Sequence, residues 1–230
     1  MNEFLSSSQF FFVTLTLVAF SFGSFIQEKG KLAILNPILL GAAMVMAVLL
    51  ALDIPNETYQ AGCKVLSFLL TPATICLSIS LYRQFEAMKK HLPAILLGLL
   101  GGTLCCLGSI VVLGHLFGFD RILTVTMLPK SITTAIGVAL SEELGGIAAI
   151  TSASIVITGI LVNMAGPALG KLLGITHPIA QGVAFGTAGH VIGTARATQL
   201  SQLAGAVSSF SLTVTGIVTT VLLSFIAQFL

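Results

Sequence analysis

Residues 127–137 read MLPKSITTAIG, and Lys130 follows Pro129 in a stretch with no other charge. Outward on both sides the chain stays apolar, so Ile122 to Leu140 forms one segment around a single cation. Proline lacks an N–H and leaves the carbonyl one turn back without its donor, so a helix kinks or breaks there. A second stretch, FGTAGHVIGTARA at residues 185–197, again joins helix breakers to basic side chains, here His190 and Arg196.

Composition sets the class that these two stretches belong to. The 230 residues are 56% hydrophobic and 8% charged, with a mean hydropathy of +1.06. A soluble domain carries about 25% charged residues, so this chain lacks the polar surface to cover itself in water. Its apolar runs are long and continuous, which points to spanning helices rather than to the alternating short strands of a barrel. The expected fold is all-α: a polytopic helical membrane protein with about eight membrane segments, some of them interrupted. A net charge of +2 is too small to argue for a nucleic-acid partner. The first residues, MNEFLSSSQ, are not basic and no small-residue cleavage pattern follows Phe10 to Phe25, so no cleaved signal peptide is expected.

Eight apolar segments can be marked along the chain. They run near Phe10–Ile26, from Ile34 to before Asp53 (with Asn36-Pro37), Lys64–Tyr82 (interrupted at Thr71-Pro72), and Leu92–Phe117 after a polar connection RQFEAMKKH. Ile122–Leu140, Ile147–Leu173 (holding Asn163 and Pro167), Pro178–Leu200 and Val207–Leu230 complete the set. They read as one integral membrane domain over 1–230, with 1–117 and 118–230 as candidate halves. Basic residues orient membrane helices. Lys29, Lys31, Arg83, Lys89 and Lys90 fall in the first and third connections, and Lys64, Arg121 and Lys171 near the second, fourth and sixth. That bias places the amino terminus outside the cytoplasm and, after eight crossings, the carboxyl terminus outside too.

Pro72, Pro129 and Gly186 are spaced by 57 residues. LLTPATICLSISLYRQ and TMLPKSITTAIGVALSE align loosely, Pro72 on Pro129 and Thr74 on Ser131. The pattern fits an internal duplication; a small apolar alphabet aligning by coincidence explains it equally well. In either case three segments hold breakers at membrane depth, where irregular backbone survives only against protein or a water-filled cavity.

Broken helices of this kind serve transporters as substrate sites, with half-helix amino ends aimed at anionic groups. After Pro129, the hydroxyls of Ser131, Thr133 and Thr134 and the free N–H groups of a new helix join Lys130 in a candidate carboxylate receptor. Ser131 and Thr134 are the pair expected to face one ligand, with Thr133 turned to packing. In the second stretch Gly186, Gly189 and Gly193 allow unwinding, while Thr187, His190, Thr194 and Arg196 supply polar groups. If that segment stays helical, Gly189 and Gly193 instead stack as a small-residue packing face, and Arg196 would also suit a snorkelling position at a helix end. Ionisable groups at depth are expensive and usually functional, so His190 and Arg196 remain candidates, with Arg196 and Lys130 expected in one pocket. Asn36, before Pro37, is a further candidate substrate contact, and Asn163 a candidate interhelical bond. Cys63, Cys76, Cys105 and Cys106 show no metal or redox spacing and read as buried small hydrophobes. No metal, cofactor or catalytic residue is expected: HExxH and GxSxG are absent and no aspartate pair lies within an apolar segment.

LPKSITTAIG and GTAGHVIGTARA, in this order and spacing, resemble the signature segments of the LrgB/CidB family of bacterial inner-membrane proteins. The resemblance covers essentially the whole chain, including NPILLG at 36–41, although Ala135 stands where many members of that family would carry proline. It implies a multi-pass protein of the bacterial inner membrane, accompanied by a small membrane protein of the LrgA/CidA type. It implies two functions. One is antiholin-like control of murein hydrolase export and autolysis, which needs oligomerisation but no anion site. The other is uptake of short 2-oxo or 2-hydroxy monocarboxylates such as pyruvate, glycolate or glycerate, and only this one agrees with the anion receptor argued from the residues.

Overall fold

The computed structural model describes residues 9–30 and 37–226, apart from the side chains at 70, 74, 77, 78 and 80. Asn36 therefore lies outside the described residues. Among those residues the chain forms eleven α-helices, one 3-10 turn and no strand. The all-α membrane class is thus the observed one, and its physical basis is the one the composition gives: backbone groups in lipid must be bonded within their own helix. Four helices are long and apolar enough to cross a membrane. They are α1 (Gln9–Gly30), α6 (Leu92–Leu116), α9 (Ala148–Leu172) and α11 (Gln202–Ile226). At 1.5 Å per residue, 25 residues span about 37 Å.

The chain divides into two compact units, Met1–Cys76 and Leu77–Leu230. In the first, α1 packs on α2 (Pro37–Ala51), and α3 (Asn56–Gly62) and α4 (Lys64–Phe68) follow. Phe12 is buried with Ile54 and Cys63, and Thr16 and Tyr59 share a hydrogen bond of 2.9 Å.

Helix α5 (Leu70–Lys89) corrects two boundaries. The segment Lys64–Tyr82 is interrupted, but at Leu69, which separates α4 from α5; Pro72 lies in the first turn of α5, where its missing N–H has no intrahelical partner to lose. The supposed polar connection RQFEAMKKH is helical through Lys89, as its helix-forming Arg, Gln, Glu, Ala, Met and Lys residues favour. The cysteine expectation is corrected as well: Cys63 is buried and Cys106 half-buried, but Cys76 and Cys105 are exposed.

The second unit is built from two copies of one pattern, a long helix followed by a helical hairpin. Helices α6 and α9 are 25 residues each and begin 56 positions apart. After α6 come α7 (Arg121–Met127), the 3-10 turn Leu128–Ser131 and α8 (Thr134–Glu143). Asp120 caps α7, its Oδ1 accepting from the Leu123 N–H at 2.7 Å. Ile132 and Thr133 are extended, with ψ of 178° and 145°. The chain then turns back: a Cβ on Gly137 would lie 3.3 Å from the Pro129 carbonyl. Eight residues of straight helix would hold these positions about 12 Å apart. Thr126 and Ser141, one on each limb, both bond to Thr151 of α9.

The second hairpin is hidden within α10 (Pro178–Leu200). His190 breaks the helix with φ 43° and ψ −134°. Gly193 packs against the carbonyl of Phe185, again eight residues away, so the limb after His190 returns along the limb before it. Both limbs lie on α11, which reads their directions: Gly182 meets Val207 and Gly186 meets Ser211, whereas Thr198 meets Gly205 and Thr194 meets Ser208. One limb runs with α11 and the other against it.

Two of the eight segments, Ile122–Leu140 and Pro178–Leu200, are therefore hairpins rather than crossings. Each pattern unit contributes one long helix, and α9 runs antiparallel to α6, so the second copy is inverted relative to the first.

Candidate functional site

Helix α6 records where the hairpins meet. Its first turns pack on the base of the second hairpin, with Ile95 in one cluster with Ile179. Its last turn packs on the base of the first, Gly114 beside Thr124. Between them, Gly102 faces Thr187, and Cys106 contacts both Lys130 and Ser131. The hairpins thus enter from opposite ends and bring their tips together at the middle of α6. Helix α9 repeats this on another side, with Thr151 at the base of the first hairpin, Ile155 and Gly159 at the His190 tip, and Gly166 beside Phe185.

A cavity of about 720 Å³ opens between α6, α9 and the second hairpin and reaches Lys130. This lies within the usual range of small-molecule sites, about 300–1,000 Å³. Its wall is mostly Ala, Gly, Val and Ile, with His91, Cys106, Lys130, Thr158, His177 and Thr187 as the groups that can donate or titrate. No Asp or Glu lines it among the described residues. Lys130 Nζ lies 3.7 Å from Cys106 Sγ, and that sulfur lies 3.5 Å from Ser131 Oγ. The Thr187 hydroxyl is buried and has no hydrogen-bond partner in the structure.

The sequence-derived candidates do not all meet at one site. Lys130 and Thr187 line the cavity. Ser131 is buried one bond away, through Cys106. Thr133 precedes the first residue of α8, and Thr134 opens that helix on an exposed surface. Neither is among the described residues that line the cavity.

His190 and Thr194 hold the second hairpin together. His190 is 4% exposed, and its Nε2 lies 2.9 Å from the Ile155 carbonyl, which can only accept, so Nε2 carries the proton. Thr194 Oγ1 donates to the His190 carbonyl at 2.9 Å and lies 2.8 Å from Ser208 Oγ. Asn163 binds across the helices, its Nδ2 donating to the Ile192 carbonyl at 3.2 Å. The break falls at His190 and not at a glycine. Gly186 and Gly193 instead admit backbone: the carbonyls of Ser208 and Phe185 occupy the space a Cβ would need.

Arg196 lies on the returning limb, where Nη1 donates to Gln199 Oε1 at 2.7 Å. It is not among the described residues lining the cavity that holds Lys130. His91 and His177 immediately precede the first residues of α6 and α10. They sit with ring centroids 6.0 Å apart on the cavity wall. His177 also caps α10, Nδ1 accepting from the Ile179 N–H at 3.3 Å.

Comparison with known proteins agrees with the two motifs. Residues 16–229 match the model of the LrgB-like family. Relatives in Bacillus mycoides (strain KBAB4), Bacillus cereus (strain B4264) and Bacillus anthracis (strain CDC 684 / NRRL 3495) are each named antiholin-like protein LrgB. Each is 32% identical over 222 residues, covering 96% of this chain and 96% of the relative. No solved structure matches the chain. With its two signature stretches forming the hairpin tips of an all-helical membrane protein, the chain belongs to the LrgB-like family.

Proposed function

We propose that this protein acts as an antiholin-like protein of the bacterial inner membrane, restraining murein hydrolase export and autolysis, with a small LrgA/CidA-type membrane protein or a second copy of itself as partner. The name carried by relatives that match 96% of the chain supports this reading. Its test is a deletion strain complemented with the chain: the deletion should autolyse faster and release more hydrolase activity, and complementation should reverse both. Unchanged autolysis would remove the proposal.

The cavity favours a second reading: binding and carriage of a short monocarboxylate such as pyruvate, glycolate or glycerate. The observation behind it is Lys130 at the meeting point of two inverted hairpins, in a cavity with basic but no acidic lining among the described residues. A carboxylate would take Lys130 as counter-ion, the Thr187 hydroxyl as a donor, and the apolar wall for its short carbon chain. No bond is made or broken in either reading. Thermal stabilisation of the purified protein by pyruvate or glycolate separates the two: the carrier reading requires it, and the antiholin-like reading has no use for it.

A further inference from the structure

We propose that the cavity is entered from the cytoplasmic face between His91 and His177, which form an outer anion subsite, with Lys130 as its inner stop. This rests on the small-anion reading above. Helix α6 serves as a ruler. His91 precedes its first residue, while Cys106, beside Lys130, lies fifteen residues on, about 22 Å along the axis. His177 stands in the same place before the first residue of α10. Both histidines are exposed, and both belong to the wall that Lys130 terminates.

Past Lys130 the way is shut. Leu107, Ile110, Leu128, Ile132, Leu140 and Leu223 pack as one cluster around the first hairpin, all buried. A small anion entering at His91 and His177 would meet Lys130 after crossing half of α6 and go no further in this conformation.

The charges at the two ends assign the faces. Lys89 and Lys90 immediately precede His91, and Lys171 lies at the end of α9 that leads to His177. At the opposite end stand Asp120, Arg121, Glu142 and Glu143. The excess of Lys and Arg marks the cytoplasmic side, so the histidine end is cytoplasmic. The hairpins sharpen this orientation, because turning Ile122–Leu140 back moves Lys171 onto the side of Lys89 and Lys90.

The ligand-class argument is electrostatic. Every titratable lining group apart from the Cys106 thiol is a base, and the mouth holds two imidazoles 6.0 Å apart ahead of an ammonium group. Such a file attracts a carboxylate and repels a cation. Because His177 Nδ1 accepts from Ile179, its Nε2–H remains as a donor even in the neutral ring.

Cys106 is a built-in reporter. Wild-type protein in inside-out and right-side-out membrane vesicles is treated with a membrane-impermeant maleimide and mapped by peptide mass spectrometry. Cys105→Ala, which removes an exposed neighbour, provides the clean site. Cys106 should react at least tenfold faster in inside-out vesicles. His91→Gln combined with His177→Asn, which keeps a capping side chain, should raise the pyruvate concentration for half-protection about tenfold. Equal labelling in both vesicle types, or faster labelling in right-side-out vesicles, overturns the cytoplasmic entrance. Unchanged protection in the double variant overturns the histidine subsite. Labelling from the cytoplasmic face that neither pyruvate nor glycolate slows leaves the entrance standing and overturns the anion reading on which the subsite rests.

Discussion

Lys130 and Thr187 lie 57 positions apart in the chain, in the leading limbs of two inverted hairpins, and both line the same cavity. The inverted copies bring their broken ends together from opposite ends, at the middle of α6, the kind of place where transporters built on inverted repeats bind their ligands. One copy supplies a charge and the other an unpartnered hydroxyl. That pairing explains why a lysine can reside in so apolar a chain: it is half-buried against a cavity and a thiol, not against lipid.

Lys130→Met should abolish stabilisation by pyruvate or glycolate while the protein stays inserted and monodisperse. Removing one hydrogen bond to a charged ligand costs about 1.5–3 kcal/mol, or roughly ten- to a hundredfold in affinity. Thr187→Val should show a loss in that range. Thr133→Val and Thr134→Val, away from the cavity, should stay within about threefold of wild type. Ligand titration monitored by melting temperature reads all four, and a Thr134 effect as large as that of Thr187 would contradict the assignment.

At Gly193, alanine should destabilise the fold by about 1–3 kcal/mol, because its methyl group must displace the Phe185 carbonyl. Gly101→Ala is the control, since nothing lies within 4 Å of the added carbon. Comparing melting temperatures in one detergent checks the pair. Equal values would mean that the returning limb does not rest on Phe185.

His190 combines a left-handed backbone with a buried bond, and substitutions separate the two. His190→Gly keeps the backbone and loses the bond to Ile155. His190→Val loses both, and a β-branched residue at φ 43° adds strain of about 1–3 kcal/mol. Valine should therefore melt well below glycine, and glycine below wild type.

A double-mutant cycle on Thr194→Val and Ser208→Ala should give a coupling of about 0.5–1.5 kcal/mol, the usual net value of a buried hydrogen bond. Additive losses would mean that the two hydroxyls do not bind each other.

Much of this was legible in the residues. The continuous apolar runs revealed an all-helical membrane protein, and Pro129 marked a true break. The 57-residue spacing came within one residue of the 56 that separates α6 from α9. The boundaries of the copies were hidden because Pro72 suits a first turn as well as a break. Hairpins were hidden for a related reason: a segment of 23 residues has the length of a crossing whether or not it turns back. Only the approach of Gly193 to Phe185 decides that, and it depends on a non-glycine residue holding positive φ. The cavity-lining histidines were also missed, since a histidine at a segment end is ordinary in sequence and acquires meaning only when two such ends converge.

The dependence of the second hairpin on α11 has a consequence for biogenesis. While the ribosome extends the chain, Pro178–Leu200 has only α6 and α9 to lie on until Gln202–Ile226 has emerged to bear both of its limbs, and the polar groups freed at His190 cannot be left facing lipid. A nascent chain stalled at Leu200 would already contain every described cavity-lining residue, the last being Ala188. It would still lack the helix on which both limbs of the second hairpin rest, a helix that lines none of the cavity.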